Sequence, residues 1–199
     1  MKNAMRSSVR LYCAGHRLGW VFGALVVLGI IVVFAEGYVV PLPWLTYGQV
    51  VTVGSLCALA YVLLLPLVFR NEISRLEVIS GQRWMLADAA ILTVLWALPW
   101  LGVLAGFTSA HFAYAVAVLL GLCVVLGRWL RVDTLTLFLL AQFIAQTALW
   151  TTLEPSPLRH ALFMLSSPNP TVTVGVSAVS LVASMVFVGG FKMPLTSSP

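Results

Sequence analysis

The sequence predicts an all-α fold, a polytopic membrane helix bundle with six transmembrane helices. Hydrophobic residues make up 61% of the 199 residues, whereas charged residues make up only 9%. A soluble domain has about 45–50% apolar and about 25% charged residues. The mean hydropathy of +1.03 points the same way. The apolar residues also occur in long runs, close to the roughly 20 residues that a helix needs to cross a bilayer.

Six apolar runs are the predicted membrane spans. They are too long and too continuous for the strands of a membrane barrel, in which apolar and polar residues alternate. Helices also satisfy their own backbone hydrogen bonds in lipid, so a helical bundle is expected. The first run is longer than the apolar region of a cleaved signal peptide, which favours an uncleaved span. We therefore predict one transmembrane domain over residues 1–199, with spans at approximately 18–40, 49–69, 86–106, 111–127, 133–152 and 171–190.

The distribution of basic residues predicts the orientation of the chain. If the six spans alternate in direction, ten of the eleven Lys and Arg residues lie on one side, and only Arg159 lies on the other. Because loops rich in Lys and Arg stay in the cytoplasm, both termini are predicted to be cytoplasmic. The chain is then a multi-pass protein of a bacterial inner or plasma membrane. Orientation in the lipid bilayer also accounts for the net charge of +5, so no nucleic-acid partner is expected.

The sequence contains none of the common catalytic or phosphate-binding motifs. Neither a G-x-x-x-x-G-K-[ST] phosphate-binding loop nor an H-E-x-x-H or G-x-S-x-G motif occurs. The three histidines, His16, His111 and His160, fall in different predicted loops, which does not favour a shared metal site. We therefore expect no catalytic residues, no cofactor and no metal, and the chain is not predicted to be an enzyme.

A charged segment, residues 69–84, separates the second and third predicted spans. Within it, Ile73, Leu76 and Ile79 recur at three-residue spacing, which predicts a short helix over residues 72–80 with one apolar face. Two interpretations of the polar face remain open: an ordinary solvated cytoplasmic loop, or a docking surface for a partner. The ionisable residues concerned are Arg70, Glu72, Arg75, Glu77 and Arg83.

Two other segments outside the spans are distinctive. Residues 6–20 mix arginines with apolar and aromatic residues, which is compatible with an amphipathic helix at the membrane interface or with an ordinary positive flank. Residues 155–168 contain prolines near both ends, which can frame a short helix. This second segment is too short for another span, so we predict that it is re-entrant or interfacial.

The fifth span carries the most prominent polar side chains predicted at membrane depth. Gln142 and Gln146 are four residues apart, so their amides lie on one helix face, and Thr147 is beside them. An amide that faces hydrocarbon lacks hydrogen-bond partners, so both amides are predicted to face protein or a polar cavity. Two uses are open: a polar substrate route, or hydrogen bonds between packed helices, which is the more common use.

The arrangement of these segments resembles the permease subunits of the second class of ABC exporters. The resemblance lies in RSSVRLYCAGHRLGW, FRNEISRLEVISGQRW and EPSPLRHALFMLSSPNP, which are residues 6–20, 69–84 and 154–170. In that family these positions hold an N-terminal connecting helix, a charged coupling helix and short re-entrant helices. The resemblance implies a six-span half-transporter that works with a separate ATP-binding subunit and with a second permease copy or paralogue.

The same resemblance implies a function. The chain would be the membrane-spanning subunit of an ATP-driven exporter of an amphipathic compound, a peptide or a lipid-like substrate. ATP would be hydrolysed on the partner chain, which would contact the charged residues between spans two and three. The alternative, from another functional class, is a non-transporting immunity, assembly or scaffold subunit that binds other membrane proteins. A co-purifying ATPase would favour the exporter.

Overall fold

Six α-helices and one pair of short β-strands make up the described parts of the chain. The computed structural model describes residues 18–41, 50–66, 85–127, 129–152, 162–165 and 169–188. In chain order the elements are α1 (Leu18–Ala35), β1 (Val39–Pro41), β2 (Val50–Thr52), α2 (Val53–Leu63), α3 (Met85–Leu104), α4 (Ala110–Leu126), α5 (Val132–Thr152) and α6 (Pro170–Val188). The predicted all-α class is confirmed.

The described helices differ in how well they match a membrane span. Val132–Trp150, within α5, is the one described segment that is long and apolar enough to cross a membrane by its length and composition. The apolar stretches in the other described helices are 10–17 residues long. The helical class is therefore established, while the six-span arrangement stays a prediction.

A short antiparallel sheet joins the first two helices. The predicted spans assign most of these strand residues to the helices. Helix α1 ends at Ala35, and β1 pairs with β2 in the register Val39↔Thr52, Val40↔Val51 and Pro41↔Val50. Valine is β-branched and favours strands, and proline has no N–H to donate within a helix. Helix α1 therefore ends before the predicted limit at residue 40, and helix α2 begins after the predicted limit at residue 49.

Hydroxyl side chains cap two of the helices, α2 and α4. Thr52 precedes α2 and accepts a hydrogen bond from the Ser55 amide at 3.3 Å. Ser109 precedes α4 and accepts from the Phe112 amide at 3.1 Å. Each bond satisfies one of the amides that the first helical turn leaves without a partner. Between α3 and α4, Gly106 has a φ of 75°, a left-handed conformation that suits glycine.

A proline interrupts the hydrogen bonding of α3, and a side chain of α2 replaces the missing donor. Pro99 lies inside α3 and has no N–H, so the Leu95 carbonyl loses its usual helical donor. The Tyr61 hydroxyl of α2 donates to that carbonyl at 2.8 Å. Tyr61 is only 5% exposed, so this bond is buried. The bond ties α2 to α3 near the proline.

Helix α4 forms the centre of the described bundle. Most of its residues are buried, and it packs most extensively against α6 and α2. Its contact with α6 is close because Gly121 has no side chain: a Cβ there would lie 3.2 Å from the Ser180 Cβ and would overlap the Ser180 hydroxyl. That hydroxyl donates to the Ala117 carbonyl. Small residues permit this close approach of two helices.

The described bundle has an apolar exterior and several polar side chains in its interior. Large hydrophobic side chains on α1, α5 and α6, such as Trp20, Leu137 and Val179, are 85%, 66% and 68% exposed. An exposed apolar surface of this extent indicates contact with an apolar phase or with partner proteins. The buried polar side chains are Ser55, Gln146, Thr147, Thr173, Ser177 and Ser184.

Candidate functional site

Several predicted segments fall outside the described residues. The structure begins again at Met85 after residue 66, so the predicted ATPase-contact residues and the predicted helix over residues 72–80 are not described. The predicted re-entrant segment, residues 155–168, is described only at residues 162–165. Among the described residues, the candidate site consists of the polar face of α5 and the turn against it. The predicted ATPase-contact residues that lie outside the described residues are Arg70, Glu72, Arg75, Glu77 and Arg83.

A turn at residues 162–165, between α5 and α6 in the chain, packs into the bundle. The Leu165 amide donates to the Leu162 carbonyl at 3.0 Å, which closes the turn. Leu162 is 6% exposed, and Met164 has no exposed surface. The ring of Phe163 meets the ring of Tyr114 in α4 edge to face, with centroids 6.5 Å apart. The turn is therefore part of the hydrophobic core.

Two helices hold the backbone of Met164. The Met164 amide donates to the Gln146 Oε1 atom of α5 at 3.1 Å. The Met164 carbonyl accepts from the Ser55 hydroxyl of α2 at 2.7 Å. Gln146 and Ser55 are both buried, so both hydrogen bonds are shielded from solvent. Side chains thus satisfy the backbone groups of a residue that belongs to no helix or strand.

The Ser55 hydroxyl is positioned by the residue that caps α2. The Thr52 and Ser55 hydroxyl oxygens are 3.0 Å apart, and the Ser55 amide donates to the same Thr52 oxygen. A serine hydroxyl has one proton to donate and two lone pairs to accept with. Since that proton goes to the Met164 carbonyl, the Ser55 hydroxyl accepts from Thr52. The start of α2 and the turn are therefore joined by consecutive hydrogen bonds.

The other two predicted residues of the fifth span have different environments. Thr147 is buried, and its hydroxyl donates to the Ile144 carbonyl of the same helix at 2.8 Å. The amide oxygen and nitrogen of Gln142 are buried and have no hydrogen-bond partner among the described residues. A buried polar group left without a partner costs about 1–3 kcal/mol. The structure therefore brings Gln146 to the turn and leaves the Gln142 amide unpaired.

A second polar contact joins the end of α1 to the start of α4. The Glu36 carboxylate accepts from the Ser109 amide at 2.9 Å and from the Ser109 hydroxyl. The helix dipole favours negative charge at the first turn of a helix. The Glu36 carbonyl also accepts from the Gly54 amide of α2 at 3.1 Å. Glu36 therefore links α1, α2 and α4, a role that the sequence alone does not indicate.

The candidate site is neutral and suited to hydrogen bonding. Its polar groups are the amides of Gln142 and Gln146 and the hydroxyls of Thr52 and Ser55. In the described part of the chain, no group of three or more His, Cys, Asp or Glu residues could hold a metal ion. Amides and hydroxyls of this kind bind polar groups, but without an ionisable partner they do not act as general acids or bases. The described polar groups are therefore suited to binding a polar group through hydrogen bonds.

The residues that hold the turn could be predicted only in part. Ser55 follows Thr52 by three residues, a spacing that suits a capped helix start, but the predicted span placed both inside a helix. Nothing in the sequence distinguishes Met164 from other apolar residues, because its role depends on two backbone hydrogen bonds. Gly121 and Ser180 likewise form a close contact that neither residue indicates alone.

Comparisons with protein families, with characterised proteins and with solved structures give no match to this chain. The functional interpretation therefore depends on the residues and their geometry. The resemblance to ABC exporter permeases, which depends on the arrangement of segments, stays a hypothesis.

Proposed function

We propose that the chain is a membrane-embedded bundle of six spans with both termini in the cytoplasm. The observation that carries the proposal is the distribution of side chains on the described helices. Large apolar side chains such as Phe34 and Leu137 are exposed, whereas polar side chains such as Gln146 and Ser177 are buried. Lipid tails solvate an apolar exterior, and polar groups inside a membrane bundle find their partners between helices.

Within this bundle we propose the function of a permease subunit of an ATP-driven exporter. The charged segment between α2 and α3 supports it, because that segment would face a cytoplasmic ATPase if the termini are cytoplasmic. The sequence has no phosphate-binding loop, so the ATPase would be a separate subunit. A second permease copy or paralogue would complete the transporter. Its substrate would be an amphipathic compound, a peptide or a lipid-like molecule.

The exposed face of α1 favours a second candidate function, that of a non-transporting immunity, assembly or scaffold subunit. Helix α1 packs mainly against α2 and exposes Trp20 and Phe22. Apart from the backbone of α1 itself and the adjacent residues, no atom of the described residues lies within 4 Å of a Cβ built at Gly19 or at Gly23. Small residues on an open helix face allow a helix of another membrane protein to approach closely.

Purification of the full chain from the membranes of its native host would distinguish these functions. The proposed permease is expected to co-purify with an ATP-binding subunit and with ATP hydrolysis. Charge reversal by Glu72→Lys or Glu77→Lys should weaken this association without changing membrane insertion. Glu154→Lys is a matched control, because it makes the same reversal in the predicted outer loop.

One outcome would contradict the permease function, and another would contradict only the proposed ATPase contact of the charged segment. Co-purification with other membrane proteins alone, without an ATPase, would favour the scaffold function. Full ATPase association in both charge-reversal variants would instead identify the segment as a solvated loop, since exposed charges contribute only about 0–1 kcal/mol.

A further inference from the structure

The turn at residues 162–165 contacts α5 well inside the end of that helix. Its contact residue, Gln146, lies six residues before Thr152, the last residue of α5. With a rise of 1.5 Å per residue, the contact is roughly 9 Å from the helix end. Met164 also has no exposed surface. The turn therefore reaches the interior of the bundle along α5, and it contacts α2 at Ser55, in the first turn of that helix.

The contacts of Met164 are of the kind that a binding site makes with a peptide. Gln146 accepts from its N–H, Ser55 donates to its C=O, and its side chain belongs to the hydrophobic core. Both hydrogen bonds involve backbone groups, which any non-proline residue of a peptide also has. We call Gln146, Ser55 and the apolar space around the Met164 side chain the Met164 slot.

The polar face of α5 continues beyond the Met164 slot. Gln142 lies one helical turn further from the end of α5 than Gln146, on the same face. Its amide oxygen and nitrogen are buried and have no hydrogen-bond partner among the described residues. A side-chain amide has one acceptor and one donor group, which complement the N–H and C=O of a peptide bond. A peptide extended along α5 would supply both.

We infer that the Met164 slot together with Gln142 is a binding site for a peptide substrate, which the turn at residues 162–165 occupies in the absence of peptide. The role of the peptide as a substrate rests on the proposed export function, whereas peptide binding itself requires no ATPase. The site selects an unbranched apolar side chain, because the core encloses a methionine there. Its polar groups are neutral, so it recognises backbone rather than charge.

The test is the binding of a fluorescein-labelled peptide, ALFMLS, which is the sequence of residues 161–166, to the full chain in lipid nanodiscs. Met164→Gly leaves the apolar space unfilled and weakens the packing of the native turn against the hydrophobic core. We expect the peptide to bind this variant at least about tenfold more tightly than the unmodified chain. Nanodiscs without protein measure the partition of the peptide into lipid.

A second peptide tests the hydrogen bond to Gln146. Methylation of the methionine amide removes the N–H, which should weaken binding to Met164→Gly about tenfold. In the same background, Gln146→Leu should abolish the difference between the two peptides, and Gln142→Leu should weaken both. Thr147→Ala is the matched control: among the described residues its hydroxyl donates to the Ile144 carbonyl of α5 itself, so both affinities should stay unchanged.

The same measurements can overturn the inference. Equal affinities of the methylated and unmethylated peptides for Met164→Gly would contradict a peptide site. Equal affinities of the unmethylated peptide for this variant and for the unmodified chain would also contradict it. If circular dichroism shows that Met164→Gly is unfolded, Met164→Ala takes its place with the same expected results. Peptide binding without a co-purifying ATPase would uphold the site and contradict the exporter, so the two failures are distinguishable.

Discussion

The Tyr61 hydroxyl donates a hydrogen bond to the Leu95 carbonyl, which Pro99 deprives of its helical donor. A proline inside a helix usually destabilises it by about 3 kcal/mol or more, partly through the lost backbone bond. Here a buried side chain of a neighbouring helix supplies the donor at 2.8 Å. This hydroxyl group therefore joins α2 to α3 at the interruption that Pro99 makes in the helix.

Removing that hydroxyl should destabilise the protein. We expect Tyr61→Phe to lower the free energy of unfolding by about 1–3 kcal/mol, because the Leu95 carbonyl would be buried without a donor. Thermal unfolding in detergent, followed by circular dichroism, measures the effect. Tyr38→Phe is the control, since Tyr38 is 70% exposed. Equal melting temperatures for the two variants would contradict the role of the bond.

The close contact of α4 with α6 should not tolerate a side chain at residue 121. Gly121→Ala would place a Cβ against Ser180, and we expect a loss of about 1–3 kcal/mol in the free energy of unfolding. Gly23→Ala is a matched control in an open helix position, where alanine should be neutral or stabilising. The measurement is the melting temperature of both variants in the same detergent.

A compensating change distinguishes steric overlap from other effects at Gly121. Removal of the opposing side chain by Ser180→Gly should restore part of the stability that Gly121→Ala loses, because the two positions are in direct contact. If the two substitutions together cost the sum of their separate effects, overlap with Ser180 is not the cause.

The contact of Glu36 with Ser109 should stabilise the start of α4 through charge. Glu36→Gln keeps an acceptor oxygen but removes the negative charge, so we expect a loss of about 0.3–1 kcal/mol that becomes smaller at high salt. Ser109→Ala should cost less stability in the Glu36→Gln background than in the unmodified chain, because the residues interact. Unfolding at two salt concentrations measures both effects, and a loss independent of salt would contradict the charge effect.

The orientation of the chain can be tested by labelling single cysteines in a variant that lacks Cys13, Cys57 and Cys123. In intact cells, an impermeant thiol reagent should label Trp44→Cys and Arg159→Cys. It should not label Arg83→Cys or Arg131→Cys until the membrane is permeabilised. The expectation follows from the ten-to-one distribution of basic residues. Labelling at position 83 but not at position 159 would reverse the orientation.

The sequence was sufficient to predict the helical class and the approximate positions of the described helices. Runs of apolar residues without charges determine these features, as in α5, which was predicted at residues 133–152 and is found at Val132–Thr152. The predicted limits failed at residues 40 and 49 because valines near Pro41 formed a strand pair. A hydropathy run does not distinguish apolar strand residues from apolar helix residues.

The candidate site was less predictable, because its geometry depends on contacts between distant residues. The spacing of Gln142 and Gln146 placed two amides on one helix face, but only the fold brings Gln146 to the Met164 amide. The hydrogen bond from Ser55 to Met164 joins residues 109 positions apart in the sequence. Tyr61 and Leu95 form a similar pair: Pro99 indicates that a donor is needed, not which residue supplies it.

The apolar exterior of the described helices is expected to face lipid. Spin labels at Ile30→Cys in α1, Leu137→Cys in α5 and Val179→Cys in α6 test it directly in reconstituted liposomes, because all three residues are exposed. Val116→Cys is the control at a fully buried position of α4. We predict that the three exposed labels collide strongly with oxygen, which concentrates in the bilayer, and weakly with a water-soluble nickel chelate. Strong collisions with the nickel chelate at all three positions would contradict a membrane-embedded bundle.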